Sequence, residues 1–135
     1  MRYLLCLILC AISATVSAQT VTIQPTKAEF TASVNHNDVI IGTTTPTLTN
    51  YTISVMAGLT QVLAPVSLGK PTPDGTNTIS VPLSSITGFL ALPKNTVYTA
   101  FVTAVGPGGT ATGAASGPFA FALAPAAVSG LVVKP

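Results

Sequence analysis

The stretch Leu92-Pro-Lys-Asn-Thr-Val-Tyr-Thr-Ala-Phe-Val-Thr-Ala-Val-Gly-Pro-Gly-Gly-Thr110 decides the fold of this chain. Successive side chains of a β-strand point to opposite faces, so alternation of apolar and polar positions indicates a strand with one buried face. Such alternation runs from Thr96 to Val105, and the Gly-Pro-Gly-Gly run that follows predicts a turn. The positions expected on the inward face are Tyr98, Ala100, Val102 and Ala104.

Short alternating runs bounded by turn residues continue through the rest of the chain. The clearest in the first half is Leu48 to Ala57, where Tyr51, Ile53 and Val55 share the expected inward face. Further strands are predicted at residues 19–23, 28–34, 61–68, 78–83 and 119–123, with Val34 and Leu123 among the inward positions.

Turn residues and prolines limit what these segments can form. Pro65 and Pro82 lack a backbone N–H, which indicates that their strands lie at sheet edges. No run of helical periodicity is long enough to predict an α-helix of more than one turn. About seven short strands result, and the sequence therefore predicts an all-β domain.

Composition excludes several classes of function. The length of 135 residues indicates one domain. Only five residues are Lys or Arg and three are Asp or Glu, so the net charge is +2 and provides no basic surface for nucleic acid. Acid–base catalysis needs positioned titratable groups, and few are present. The chain is therefore expected not to be an enzyme and to carry no cofactor.

The first residues predict a secretory signal peptide. Met1-Arg2 precedes an apolar run over residues 3–12, and Val16-Ser-Ala18 supplies small residues for cleavage before Gln19. A permanent anchor is the alternative, although a spanning helix needs ~20 apolar residues. A second alternative is a lipoprotein signal in which Cys10 carries the lipid, although such a signal needs a small residue before the cysteine and Leu9 is large. Both cysteines lie within residues 1–18, so the remaining chain can form no disulfide.

The stretch 92–110 resembles the part of fibronectin type III domains that enters strand F, follows it and turns into strand G. The positions that carry the resemblance are Leu92, Tyr98, Val102, Ala104 and Gly109. Tyr51-Thr-Ile-Ser-Val55 is similar to strand C of the same family. The resemblance covers residues 26–123.

The resemblance implies an immunoglobulin-like antiparallel β-sandwich of about seven strands, fibronectin type III-like, with a tyrosine corner at Tyr98. In that corner the tyrosine hydroxyl bonds to the upstream backbone, so Tyr98→Phe is expected to cost more stability than Tyr51→Phe. The family commonly has a Trp in strand B, but this chain contains none, so phenylalanines such as Phe30 are expected to fill the core.

Three local features are candidate binding or modification sites. His36 lies in the turn Asn35-His-Asn-Asp38, where it is either a turn residue or a metal ligand, but one imidazole and one carboxylate are too few for zinc. Phe89 and Phe101 are the aromatics with no predicted inward position, and they are either core residues or a small sugar-stacking platform. Asn50-Tyr-Thr52 has the spacing of a glycosylation acceptor.

The predicted organisation is a signal peptide at 1–18, the fibronectin type III-like domain at 19–123, and a Pro/Ala linker with a C-terminal strand at 124–135. The apolar residues of this strand, within Val128 to Val133, can pair with their own sandwich or with a neighbouring copy, or stay unordered. No membrane span is expected after signal removal.

The predicted function is extracellular protein–protein contact by a secreted, non-enzymatic module with a structural or adhesive role, including cell adhesion. The sequence does not identify the protein partner. Self-association through Val128 to Val133 is one way in which such contact could form. The alternative is a carbohydrate-binding accessory module of a secreted hydrolase system.

Overall fold

A computed structural model describes residues 19–126 of the chain. The predicted signal peptide at 1–18 and the predicted strand at Val128 to Val133 lie outside the described residues. No helix between residues 19 and 126 is long and apolar enough to cross a membrane.

The described chain is built from β-strands, and its helical elements are two short 3-10 turns at Leu83–Ser85 and Phe89–Ala91. The strands are β1 (Thr22–Ile23), β2 (Lys27–Thr31), β3 (Asn50–Ala57), β4 (Thr60–Gly69), β5 (Thr78–Pro82), β6 (Val97–Gly106), β7 (Gly109–Thr112) and β8 (Phe119–Ala120).

The strands form two sheets that pack face to face. The larger sheet has the order β1-β8-β6-β3-β4, with β7 also paired to β6, and the smaller sheet consists of β2 and β5. Every pairing is antiparallel except that of β1 with β8. Phe30 of β2 meets Tyr51 of β3 edge to face, with ring centroids 5.1 Å apart across the two sheets. The predicted all-β sandwich is confirmed.

The core lies between the two sheets and is rich in aromatic rings. The predicted inward residues Tyr51, Ile53 and Val55 are each at most 2% exposed. Phenylalanines supply much of the remaining volume, and Phe89 stacks on Phe119 with centroids 5.5 Å apart. The other core residues are Ala32, Leu48, Ile79, Val81, Leu83, Ile86, Leu92, Tyr98 and Phe121.

Two predicted inward positions are wrong. Val34 is 92% exposed, because β2 ends at Thr31 and the chain then turns, with the His36 N–H bonded to the carbonyl oxygen of Ser33. Leu123 is 65% exposed, because β8 ends at Ala120.

Several strands differ from their predicted extents, and one strand was not predicted. The strand expected at 61–68 runs through Pro65 from Thr60 to Gly69, and it is an edge of the larger sheet, where a missing donor is tolerated. The turn predicted after Val105 is tight, so Gly109–Thr112 returns as a further strand beside β6.

Candidate functional site

The connection between β2 and β3 contains a structured hairpin, which we call the apical hairpin (residues 38–47). Val39 and Pro46 form an antiparallel β-bridge, and the Thr47 N–H donates to the Asp38 carbonyl oxygen at 2.9 Å. Gly42 adopts a φ of 77° near the tip, in the left-handed region that glycine favours. Backbone hydrogen bonds thus fix the shape of this connection.

The apical hairpin and the turn before it contain four exposed aliphatic residues. Ile41 at the tip is 98% exposed, and Val39 and Ile40 beside it are 52% and 40% exposed. Val34, in the preceding turn, adds another exposed side chain. Contiguous exposed apolar surface is a feature of interaction sites, whereas single exposed apolar residues are ordinary.

The base of the apical hairpin is held against the end of β6. The Thr49 N–H and its hydroxyl both donate to the Val105 carbonyl oxygen, at 2.9 and 3.1 Å. Gly106 lies so close that a Cβ added there would overlap the carbonyl oxygen of Thr47. The hairpin and the β6–β7 turn therefore lie at the same end of the sandwich.

Beneath the hairpin, His36 is buried against Tyr51. The imidazole is 6% exposed, and its Nδ1 lies 3.0 Å from Tyr51 Oη. Tyr51 Oη also accepts the Ser33 N–H at 2.9 Å, so its own proton can be donated to Nδ1 of a neutral imidazole. Asn35 Nδ2 donates to Asp38 Oδ2 at 3.1 Å within the same turn. The structure thus makes His36 a structural partner of Tyr51.

Burial lowers the pKa of His36 below its ordinary value of 6.5, and the positive charge of Lys70 lowers it further. Both effects disfavour the imidazolium. The turn under the apical hairpin is therefore built around a neutral histidine.

This lowered pKa predicts a pH-dependent stability. The unfolded chain binds a proton at His36 more readily than the folded chain does, so stability is fully present above pH 6.5 and falls as the pH drops below it. We expect the free energy of unfolding, measured by urea titration at pH 7.5, 6.5 and 5.5, to decrease more for the wild type than for His36→Gln. Equal decreases in both proteins would contradict a buried neutral histidine. The lowered pKa of Asp74 acts below pH 3.8, outside this range.

The residues that carry the sequence resemblance lie around β6. Tyr98 is 1% exposed, and its hydroxyl donates to the carbonyl oxygen of Pro93 at 2.7 Å. Leu92 is 5% exposed, whereas Gly109 lies at the exposed start of β7 with a φ of 120°. Val102 and Ala104 of β6 are only half-buried.

Val102 and Ala104 are half-buried because an open groove separates β2 from β6 at one side of the sandwich. We call it the inter-sheet groove, and its volume is about 720 Å³. Ala28 and Phe30 of β2 form one wall, and Ala100, Val102 and Ala104 form the other. These facing residues are apolar, whereas the polar residues that also line the groove include Lys27, Glu29, Ser33, Thr112 and Ser116.

Phe89 and Phe101 do not form an exposed pair. Phe89 is 2% exposed and stacks within the core, while Phe101 is half-buried on β6. The sugar-stacking platform that the two residues could have made is therefore not formed.

The two other candidate sites, a metal site at His36 and a glycosylation acceptor at Asn50, show no arrangement of side chains for binding a ligand. Among residues 19–126, no group of three or more His, Cys, Asp or Glu side chains is placed to hold a metal ion. Asn50, of the possible glycosylation acceptor, is half-buried on β3, and its Oδ1 accepts the Ser67 hydroxyl at 2.9 Å.

Local sequence did not indicate that His36 is buried or that residues 38–47 form a hairpin. The partner of His36 is 15 residues away in the chain, and the hairpin depends on the bridge between Val39 and Pro46. The apolar run Val39-Ile-Ile41 is the one feature that could have indicated an exposed aliphatic tip.

Comparison of the chain with protein-family models, with curated proteins and with solved structures gives no match in any of the three. The fold and surface define the class as an all-β sandwich that presents a fixed aliphatic hairpin at one end.

Proposed function

We propose that this protein is a secreted, non-enzymatic, fibronectin type III-like module that acts by protein–protein contact outside the cell, in a structural or adhesive role. The observation that carries this proposal is the apical hairpin, where Ile41 is 98% exposed on a hydrogen-bonded backbone. Secretion is supported by the signal-like residues 1–18.

The strand arrangement supports the fibronectin type III-like part of the proposal. In the larger sheet β3, β6 and β7 are neighbours, as strands C, F and G are in immunoglobulin-like sandwiches. In the smaller sheet β2 pairs with β5, as strand B does with strand E. The Tyr98 hydroxyl bonds upstream to Pro93, as a tyrosine corner would. In this correspondence the apical hairpin is the B–C connection, which lies beside the F–G turn. Partner-binding loops of variable immunoglobulin domains occupy this end.

The chemistry of the apical hairpin favours an apolar protein surface as partner. The exposed side chains near its tip are the aliphatic Val39, Ile40 and Ile41 and the threonines at 43–45, so they offer neither an aromatic face for a sugar nor a cation for a phosphate. Its backbone is already ordered by hydrogen bonds, so binding would require little further loss of conformational entropy. A hydrophobic cleft or sheet surface on a protein fits these properties.

Substitution of the hairpin tip tests the proposal. We expect Ile41→Asp to weaken binding of an extracellular protein partner about tenfold to a hundredfold, since burial of one isoleucine contributes about 1.5–3 kcal/mol. The matched control is Leu59→Asp, because Leu59 is 100% exposed in the β3–β4 turn at the opposite end of the sandwich.

The immobilised wild type and both variants would be incubated with the native extracellular fraction, and any retained protein would be purified and its dissociation constant measured. Thermal melts would first establish that all three proteins are folded. A protein bound by the wild type and Leu59→Asp but lost from Ile41→Asp supports the proposal. Equal binding to all three, or specific retention on polysaccharide with no protein partner, contradicts it.

A further inference from the structure

The inter-sheet groove lies beside an unpaired strand edge. Within residues 19–126, β2 pairs only with β5, since β1 pairs with β8 through Thr22 with Phe119 and Ile23 with Ala120. No strand between residues 19 and 126 therefore pairs with the outer edge of β2, whose backbone donors and acceptors form a template for another strand.

The walls of the groove suit an apolar strand. Ala28 and Phe30 are half-buried on the inward face of β2, and the exposed Lys27 and Glu29, which pair with each other at 2.7 Å, also border the groove. An added strand would extend the smaller sheet and cover the half-buried side chains of β6. Covering β2 takes a strand roughly 17 Å long, at about 3.3 Å for each residue.

We propose that Val128 to Val133 of the same chain pairs with the outer edge of β2 and fills the inter-sheet groove. The segment Val-Ser-Gly-Leu-Val-Val is apolar and rich in β-branched residues, which favour strands. Backbone hydrogen bonds to β2 would supply affinity, and the apolar groove would select the register.

The chain leaves the described structure close enough to reach the groove. Phe119 lines the groove, and the Phe121 carbonyl oxygen accepts the Asn95 N–H just before β6 begins. The Gln24 N–H, three residues before β2, donates to the Ala120 carbonyl oxygen at 2.9 Å, so the chain passes near the start of β2. Residues 121–127 connect this point to Val128, and seven residues fully extended span at most roughly 25 Å.

A segment tethered to its own sandwich has an advantage over the same segment from another copy. A short flexible linker gives an effective concentration in the millimolar range, well above an ordinary concentration of free protein. Docking within one chain is therefore favoured. It occurs at a different surface from the apical hairpin, so partner binding and tail docking can be tested separately.

The test compares the full chain from Gln19 with a form that ends at Ala127. We expect truncation to lower the melting temperature by roughly 5 °C or more while light scattering shows a monomer in both cases. We also expect amide exchange in β2 to become at least tenfold faster, and a peptide of residues 126–135 to reverse both changes.

Point variants keep the test informative if the truncated form fails to fold. Leu131→Asp within the segment should reproduce the loss of β2 protection, whereas Lys134→Asp just beyond it should not. Unchanged melting and exchange in the truncated form and in Leu131→Asp would overturn the proposal. A full chain that forms oligomers, and loses them on truncation, would also overturn it, because the segment would then dock onto a second copy.

Discussion

Replacement of Gly106 by alanine is expected to destabilise the protein by about 3 kcal/mol, at the upper end of the usual cost of overpacking. The new Cβ would overlap the carbonyl oxygen of Thr47, a backbone atom that cannot rotate away as a side chain could. The substitution must therefore push the base of the apical hairpin away from β6. It would strain the bonds from Thr49 to Val105 as well.

The matched control for this prediction is Gly108→Ala. Gly108 lies in the same β6–β7 turn, but a Cβ added there meets no atom within 4 Å. Urea denaturation of the two variants should therefore give a large loss of unfolding free energy for Gly106→Ala and a change within about 0.5 kcal/mol for Gly108→Ala. Similar midpoints and slopes for both would show that the hairpin base is not packed against β6.

Displacement of the hairpin base also links stability to the proposed function. The aliphatic tip lies beyond the contact between Thr47 and Gly106, so a displaced base should present Ile41 in a less fixed position. Partner binding by Gly106→Ala should consequently fall even under conditions where the variant is folded.

The sequence was most informative where a strand has neighbours on both sides and one buried face. β3 and β6 are the two central strands of the larger sheet, and both were predicted from alternation. Tyr51 and Tyr98, at 2% and 1% exposed, lie on their inward faces. Burial alternates regularly along β3, where a shift of one residue would move Tyr51, Ile53 and Val55 out of the core. In β6 the pattern is weaker, because apolar residues also occupy the opposite face.

Prediction was less successful where long-range contacts replace local pattern. The sequence alternates as far as Val34, but β2 ends at Thr31, and the Ser33 N–H instead donates to Tyr51 Oη, 18 residues along the chain. Phe89 had no alternating neighbours that would indicate burial. A 3-10 turn nevertheless directs it into the core against Phe119.

The candidate site was the least predictable part of the molecule. Its turn chemistry was apparent from Asn35-His-Asn-Asp38, but burial of His36 depends on Tyr51, on another strand. The hairpin tip appeared as a short apolar patch, and only the bridge between Val39 and Pro46 shows that this patch projects outward. Sequence therefore indicates the residues of the site, while tertiary contacts decide which of them are exposed.

His36 and Tyr51 form a buried pair under the hairpin. We therefore expect Tyr51→Phe to cost more stability than Tyr98→Phe, the reverse of the expectation from sequence. Tyr51→Phe leaves both the Ser33 N–H and His36 Nδ1 without their partner, whereas Tyr98→Phe leaves only the Pro93 carbonyl oxygen. At about 1–3 kcal/mol for each unsatisfied group, we expect losses of about 2–6 kcal/mol for Tyr51→Phe and about 1–3 kcal/mol for Tyr98→Phe. Urea denaturation at pH 7.5 measures both.

A second measurement separates the hydrogen bonds of Tyr51 from the packing of its ring. The phenylalanine ring can keep the edge-to-face contact with Phe30 and the stacking on His36, so the core should remain intact. Removal of the hydroxyl should instead speed amide exchange at Ser33, because that N–H loses its acceptor, while exchange at Asn95 is unchanged. If Tyr98→Phe proves the more costly substitution and Ser33 keeps its protection, then Tyr51 does not hold the turn beneath the hairpin. The position of the exposed Ile41 would in that case depend on the β6 contacts alone.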